Sequence, residues 1–261
     1  MIYAFSPEGV ECLAAVLATD PLLAFDIDGT LAPIVARPHE ARLPDDVKGC
    51  LHALAERTQV AVITGRSVDD ARGMLEFEPH YLIGNHGAEG IPGWKARSEG
   101  FARTVRGWRE ALERCDALRD AGVSIEDKRY SVSLHYRLAS DHDAAMRAIH
   151  ACVETLLPAP KTIDGKAVVN LLPRDAPDKG DALRALIAQS GSPNVLYVGD
   201  DDTDEAVFGL HLPSVLTLRV EPNAESAATL YLRDQREVLT LMQHIARYRN
   251  VHTARSRTAR A

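Results

Sequence analysis

The segment Asp26-Ile27-Asp28-Gly29-Thr30 sets two carboxylates two residues apart, directly after the apolar run Leu22-Leu23-Ala24-Phe25. In an extended tail alternate side chains point the same way, so both carboxylates can face one site. Gly29 permits the sharp turn that follows. Two carboxylates at a solvent-facing strand end repel each other, and a cation is expected between them. Taken alone, a D-x-D pair also suits turn or helix-capping aspartates. An EF-hand loop is excluded, because the glycine follows the second aspartate directly and the later ligand positions are missing.

Three further segments have chemistry of the same kind. Gly199-Asp200-Asp201-Asp202-Thr203-Asp204 follows the apolar run Val195–Val198. So many adjacent carboxylates are electrostatically costly without a cation. Some serve as caps, with Asp202 or Thr203 the N-cap of the next helix. Asp200, nearest the strand end, is the best third metal ligand beside Asp26 and Asp28. Asp204 either supports the site from behind or is structural. Thr64-Gly65 follows Val60–Ile63 and offers a hydroxyl and a backbone N–H beside a helix start, which suits a phosphate oxygen. Lys179-Gly180 opens a helix, where a lysine opposes the macrodipole. Its place makes sense if the ammonium reaches a phosphate and a carboxylate. Together these residues imply a hard, oxygen-bound cation and a phosphorylated substrate.

Elements that could position these groups are legible in the apolar pattern. Strands are predicted at 22–25, 60–63, 81–83, 195–198 and 215–218, and helices at about 45–57, after Ser67, and at 179–189, 202–210, 224–229 and 235–247. Short buried strands alternating with helices predict an α/β fold with a doubly wound, mostly parallel sheet. From about Phe101 the rhythm changes to helix, hairpin, helix, hairpin: helices near 102–120 and 141–156, strands near 123–127, 131–136, 161–163 and 168–171. This predicts a core from residues 1–101 and 177–261, with an inserted α+β domain at 102–176.

Composition bounds the rest. The chain has 261 residues, 46% of them hydrophobic, and a formal net charge of −7, so no broad basic face offers itself to nucleic acid. No apolar run approaches the roughly 20 residues that cross a bilayer. The N-terminal stretch is acidic and suits a short amphipathic helix better than a secretory signal. Cys12, Cys50, Cys115 and Cys152 are scattered and the ten histidines dispersed. Reduced cysteines, a cytoplasmic protein and no zinc site are therefore expected. The end after Asn250, with Arg255, Arg257 and Arg260, is expected to be disordered.

D-x-D-G-T, T-G-R, K-G and G-D-D-x-T-D, in this order, resemble the haloacid dehalogenase superfamily of phosphotransferases. The insert between the second and third motifs is similar to that superfamily's C2-type cap. Closer still, Asp28–Ile34, Ile63–Arg66, Asn85–Glu89, Ile125–Lys128 and Leu134–Arg137 resemble trehalose-6-phosphate phosphatases. The resemblance implies a Rossmannoid core and hydrolysis of a sugar phosphate, most closely trehalose 6-phosphate. Asp26 is then the nucleophile that becomes an aspartyl phosphate, and Asp28 the acid and base. Thr64, Gly65 and Lys179 hold phosphoryl oxygens. Mg²⁺ sits on Asp26, Asp28 (through its backbone carbonyl) and Asp200. Arg66, Asn85, His86, Gly87, Glu126, Lys128, His135 and Asn170 are the implied substrate residues. The second hairpin departs from the family: Asn170 stands where a sugar-binding Glu is usual, and Leu172 where Lys is common. Arg129 replaces a usual glycine. The departures leave the phosphate chemistry intact and bear on the sugar. Competing readings are another capped sugar-phosphate phosphatase, a phosphomannomutase-like mutase, or a non-catalytic binding module.

Overall fold

Leu22–Phe25, Val60–Ile63 and Val195–Gly199 are buried at every position, as strands covered on both faces must be. They form the middle of the larger of two sheets. The computed structural model describes residues 1–35, 37, 40–165 and 167–258. In chain order the elements are β1 (Ile2–Tyr3), α1 (Pro7–Leu17), β2 (Leu22–Phe25), α2 (Asp45–Ala55), β3 (Val60–Ile63), α3 (Val68–Leu75) and β4 (Tyr81–Ile83). Then come α4 (Lys95–Glu113), α5 (Asp116–Asp120), β5 (Ser124–Asp127), β6 (Val132–His135), α6 (His142–Val153), β7 (Lys161–Gly165) and β8 (Val168–Leu172). The chain closes with α7 (Lys179–Ser190), β9 (Val195–Gly199), α8 (Glu205–Phe208), β10 (Val215–Val220), β11 (Leu230–Leu232) and α9 (Glu237–Thr258).

Two compact units result. The first comprises Met1–Thr64, Asp69–Ile83 and Lys179–Ala261; the second comprises Gly65–Val68 and Gly84–Asp178. The first holds a seven-stranded sheet in the order β1-β11-β10-β9-β2-β3-β4, parallel throughout. Parallel neighbours need crossover connections, which the helices supply. The second holds an antiparallel sheet in the order β5-β6-β8-β7. Strand alternation sorts its side chains. Val132, Leu134, Val169 and Leu171 pack with Val105, Trp108 and Leu112 of α4, Leu118 of α5 and Ala145 and Ile149 of α6. The alternate residues Glu126, Ser133 and Asn170 lie on the other face, in one cross-strand row. This second unit includes residues 84–101, beyond the 102–176 span. Phe101 and Ala102 of α4 share a small apolar cluster with Ala88, Tyr130 and Leu172.

Several local expectations are corrected. The helix expected near 224–229 is irregular chain leading into β11. There Asn223 and Ser226 side chains take the N–H groups of Glu225 and Ala228, local bonds that compete with helix. The helix expected over 102–120 starts at Lys95 and breaks at Arg114 and Cys115. Cys115 is extended, which returns Leu118 to the same core. The helix expected to end near 247 continues to Thr258, so Arg255 and Arg257 lie on helical backbone and not in a disordered end. Arg260 lies outside the described residues. The four cysteines are not all thiols. Cys115 and Cys152 are paired, with Cα atoms 6.5 Å apart, because α5 and α6 meet over one core. Cys12 and Cys50 remain free. Among the described residues, no helix is long and apolar enough to cross a membrane.

Leu134 is fully buried at the centre of the second unit's core. Leu134→Ala is expected to lower the unfolding free energy by about 2–5 kcal/mol. Denaturant unfolding followed in that unit checks it, and a loss under about 1 kcal/mol contradicts the packing described.

Candidate active site

Asp26, Thr64 and Asp200 are the first residues beyond β2, β3 and β9, three adjacent strands of the parallel sheet. Carboxyl ends of such strands are where open α/β sheets bind ligands. Ladder bonds continue into these residues: Asp26 N–H donates to the Val198 carbonyl at 3.0 Å and Thr64 N–H to the Ile83 carbonyl at 2.9 Å. Ile27 is fully buried. The chain then reverses, with Gly29 N–H on the Ala32 carbonyl and Ala32 N–H on the Ile27 carbonyl, each 2.8 Å. Gly29 takes φ +84° in this turn. Asp28 sits half-buried between them.

Lys179, the first residue of α7, is 1% exposed. Its Nζ lies 3.1 Å from Asp26 Oδ2 and 2.9 Å from Asp204 Oδ1, with Asp201 4.0 Å away. Burial works against the ammonium, but Asp204 and Asp26 outweigh it and hold Lys179 protonated well above the lysine range. Burial drives the Asp26 carboxyl well above its usual range. Lys179 opposes that shift, while Asp204, Asp201 and Asp200 add to it. One ammonium thus faces a surplus of carboxylates, and a divalent cation bound by oxygen fits that surplus.

Asp26, Asp201 and Asp204 each offer an oxygen within 4.8 Å of one another. Hydrogen bonding decides which aspartates are available to a cation. Asp204 Oδ1 accepts from Lys179 and from the Tyr197 hydroxyl at 2.6 Å. Its Oδ2 accepts the N–H groups of Asp200 and Asp201 at 2.9 and 3.1 Å. Asp204 is therefore saturated and structural. Asp201 Oδ1 takes Thr203 N–H and Oγ1 at 2.9 and 2.7 Å, and Asp204 N–H at 3.3 Å. The N-cap position falls on Asp204, not on Asp202 or Thr203, and α8 shrinks to Glu205–Phe208. The Asp200 carboxylate lies against Gly29, where an added Cβ would come within 2.0 Å of it. The Thr30 hydroxyl donates to it at 3.4 Å. A second cradle holds Asp204, whose carboxyl carbon would lie 2.2 Å from a Cβ on Gly199.

The other candidates lie in the second unit. The Lys128 Nζ is 3.5 Å from the Gly65 carbonyl and 3.8 Å from Glu126. Glu126 in turn meets His135 Nε2 at 2.7 Å. Burial works to raise the Glu126 carboxyl. The His135 hydrogen bond, with Lys128 and Arg66, outweighs it and holds the group below the usual range. The His86 ring packs on Gly65, where a Cβ would lie 2.5 Å from Cε1. Gly87 backs onto the Asp178 carbonyl. Two candidates are internally engaged. Asn85 is fully buried, its amide bonded to Glu89, Lys128 and Ser131. Asn170 is 7% exposed; its Oδ1 accepts from Ser133 at 2.6 Å and its Nδ2 donates to the Ile163 carbonyl at 3.3 Å.

Residues 24–229 match the model of the trehalose-phosphatase family, a span that holds Asp26, Thr64, Lys179 and the 199–204 loop. The chain belongs to the trehalose-phosphatase family. That family is part of the haloacid dehalogenase superfamily. The chain is 38% identical over 205 residues to an uncharacterized glycosyl hydrolase of Mycobacterium tuberculosis. That alignment covers 72% of this chain but 15% of the relative's length. It is 26% identical over 254 residues to probable trehalose-phosphate phosphatase D of Arabidopsis thaliana, covering 88% of this chain and 68% of that one. A crystal structure of a trehalose-6-phosphate phosphatase related protein superposes with a TM-score of 0.71 at 24% identity, over 86% of this chain and 96% of the other.

Beyond the family's motifs, the structure adds residues that sequence reasoning passed over. Tyr197, fully buried, ties Asp204 in place. Arg219 of β10 donates to the Asp201 carbonyl at 3.2 Å and to Glu205 at 2.8 Å, which braces the acidic loop. Ser131 and Ser133 bond the two buried amides. A tyrosine in an apolar run and a serine in a strand carry no signal of their own. Removing the charge of Lys179 takes the counter-charge from two buried carboxylates. Lys179→Met is expected to cost about 3–5 kcal/mol of stability, more than Tyr197→Phe at about 1–3 kcal/mol. Urea unfolding of both variants checks the order, and the reverse order contradicts the ion pairing described.

Proposed function

We propose that the chain hydrolyses trehalose 6-phosphate to trehalose and phosphate through an aspartyl phosphate on Asp26. One observation carries the reading beside family membership: Asp26 stands at a strand end against the protonated Lys179, with Asp200 held one turn away on Gly29. An Asp26 oxygen attacks phosphorus and the bond to the sugar oxygen breaks. Asp28 gives its proton to the leaving hydroxyl. Asp28 then takes a proton from water, whose oxygen attacks the acyl phosphate, and phosphate leaves as the Asp26 carboxylate is restored. Lys179, with the Thr64 hydroxyl and Gly65 N–H, holds phosphoryl oxygens through the transfer. Mg²⁺ is proposed as the cofactor on Asp26, the Asp28 carbonyl and Asp200. When bound, it supplies the charge that screens the phosphoryl group and keeps Asp26 ionised.

The inserted segment, residues 102–176, is proposed to be a C2-type cap that selects the sugar, with Glu126, Lys128 and His135 as its polar contacts and Arg66 beside them. Asn170 and Leu172 favour a second reading, another sugar phosphate. Asn170 spends its amide on Ser133 and Ile163, and Leu172 is buried with Phe101 and Tyr130. Neither offers the charge usual in the family. The cytoplasm is the proposed compartment, on the chemistry of a phosphorylated sugar substrate. The thiol pool there favours reduction of the Cys115–Cys152 pair.

A screen of phosphorylated sugars reading released phosphate tests the substrate. Turnover of another sugar phosphate in preference to trehalose 6-phosphate selects the second reading. Asp26→Asn is expected to abolish turnover with the fold intact by circular dichroism; activity within about tenfold of wild type removes Asp26 from the nucleophile's role. Chelation of divalent metal is expected to stop the reaction and magnesium to restore it. Full activity after exhaustive chelation contradicts the cofactor. Glu126→Ala is expected to cost about ten- to a hundredfold in kcat/KM on the sugar phosphate and little on an aryl phosphate. Equal losses would make Glu126 a structural residue.

A further inference from the structure

Asn85 begins a run of three left-handed residues, with φ +50° at Asn85, +56° at His86 and +114° at Gly87. Left-handed backbone is disfavoured outside glycine, although asparagine tolerates it better than most. Two such non-glycine residues in succession persist only where the surroundings over-determine them. The determinants here are hydrogen bonds. Asn85 N–H donates to the Arg66 carbonyl at 2.7 Å. Its Nδ2 donates to Glu89 Oε2 at 2.8 Å and to the Lys128 carbonyl at 3.2 Å. Its Oδ1 accepts from the Ser131 hydroxyl at 2.5 Å. The same Glu89 oxygen accepts Val68 N–H at 2.8 Å. One buried asparagine, through its backbone N–H and its side-chain amide, therefore joins the 65–68 turn, the 84–89 loop and the 128–131 hairpin turn.

Both amide hydrogens are committed, so Asn85 has no side-chain donor for a ligand. Its effect must pass through what it holds. The Lys128 carbonyl is held by Asn85, Lys128 N–H donates to the Ser131 carbonyl at 3.0 Å, and Lys128 Nζ comes 3.5 Å from the Gly65 carbonyl. Gly65 follows Thr64 in the chain. The backbone of Lys128 is thus fixed on both sides, and its ammonium is aimed back at the turn that follows β3.

We propose that Asn85 and Ser131 are positioning residues for substrate selection: they fix Lys128 against the Gly65 turn, and so tune recognition of the phosphorylated sugar without touching it. The proposal rests on the sugar-phosphatase reading above.

The test is steady-state kinetics with magnesium on trehalose 6-phosphate and on p-nitrophenyl phosphate, for wild type, Ser131→Ala and Asn85→Asp, each also combined with Lys128→Ala. Ser131→Ala is expected to raise KM for the sugar phosphate about five- to twentyfold. Its kcat, and its kcat/KM on the aryl phosphate, should stay within about twofold of wild type. Asn85→Asp, which sets a carboxylate against Glu89 and the Lys128 carbonyl, should shift the ratio between the two substrates further in the same direction. Neither change should add to the loss already caused by Lys128→Ala. Equal losses on both substrates, an additive loss on the Lys128→Ala background, or an unchanged sugar-phosphate KM in Ser131→Ala overturns the proposal. If Asn85→Asp does not fold, Ser131→Ala decides alone. If wild type uses a different sugar phosphate, the substrate reading fails and the same comparison is made on that sugar. If it uses none, the positioning proposal falls as well.

Discussion

A lysine ammonium with 1% exposure must be paired, because burying an isolated charge is far more costly than any packing gain can offset. Lys179 is paired most closely by Asp26 and Asp204, and the rest of the first unit's site answers to that requirement. Asp204 can turn back onto the lysine because Gly199 leaves room for its carboxylate. Its remaining lone pairs are filled by Tyr197 and by two backbone N–H groups. Those N–H bonds shape the loop that follows β9, and the shape leads Asp200 onto Gly29. Gly29, which read as a turn former, and Gly199 are thus cradles for carboxylates, and one buried cation decides that Asp204 is structural.

The second unit meets a different constraint. Its sheet has one face packed on helices and another that keeps polar side chains at low exposure. Buried polar groups must find partners, and they do so in sequence-distant pairs: Ser131 with Asn85 and Ser133 with Asn170. Charged groups at the edge remain adaptable. Glu126, half-exposed, is shared between His135 and Lys128. The neutral pairs set the frame and the charged residues stand on it.

The parallel core, and the strand ends on which the candidate residues stand, were legible because both leave periodic or local signals. Apolar runs of four or five residues each end in a polar motif, and strand ends are where such motifs act. What stayed hidden depends on contacts between distant residues. The saturation of Asp204 needs Tyr197 and Lys179, 7 and 25 residues away. The pairing of Cys115 with Cys152 needs two residues 37 apart in the chain to meet. The irregular 224–229 segment has helical composition, but turn bonds and the pairing of β11 with β10 and β1 outweigh propensity there. Asn85 sits inside a motif that suggested ligand binding, yet burial and bonding turn it inward.

Asn170 and Leu172 are best understood as one change. They are two residues apart on β8 and so share a face. A Glu and a Lys at these positions would add one negative and one positive charge; an amide and an alkyl chain add none. Each replacement alone would leave an unbalanced charge on a poorly hydrated face, which is costly. Made together, they keep that face neutral and let local partners take over. The amide closes onto Ser133 and Ile163, and Leu172 joins Phe101, Ala102 and Tyr130. Glu126 lies in the same cross-strand row as Asn170, and His135, Lys128 and Arg66 hold its carboxyl below the usual range against burial. The departure from the family pattern is therefore electrostatically self-consistent.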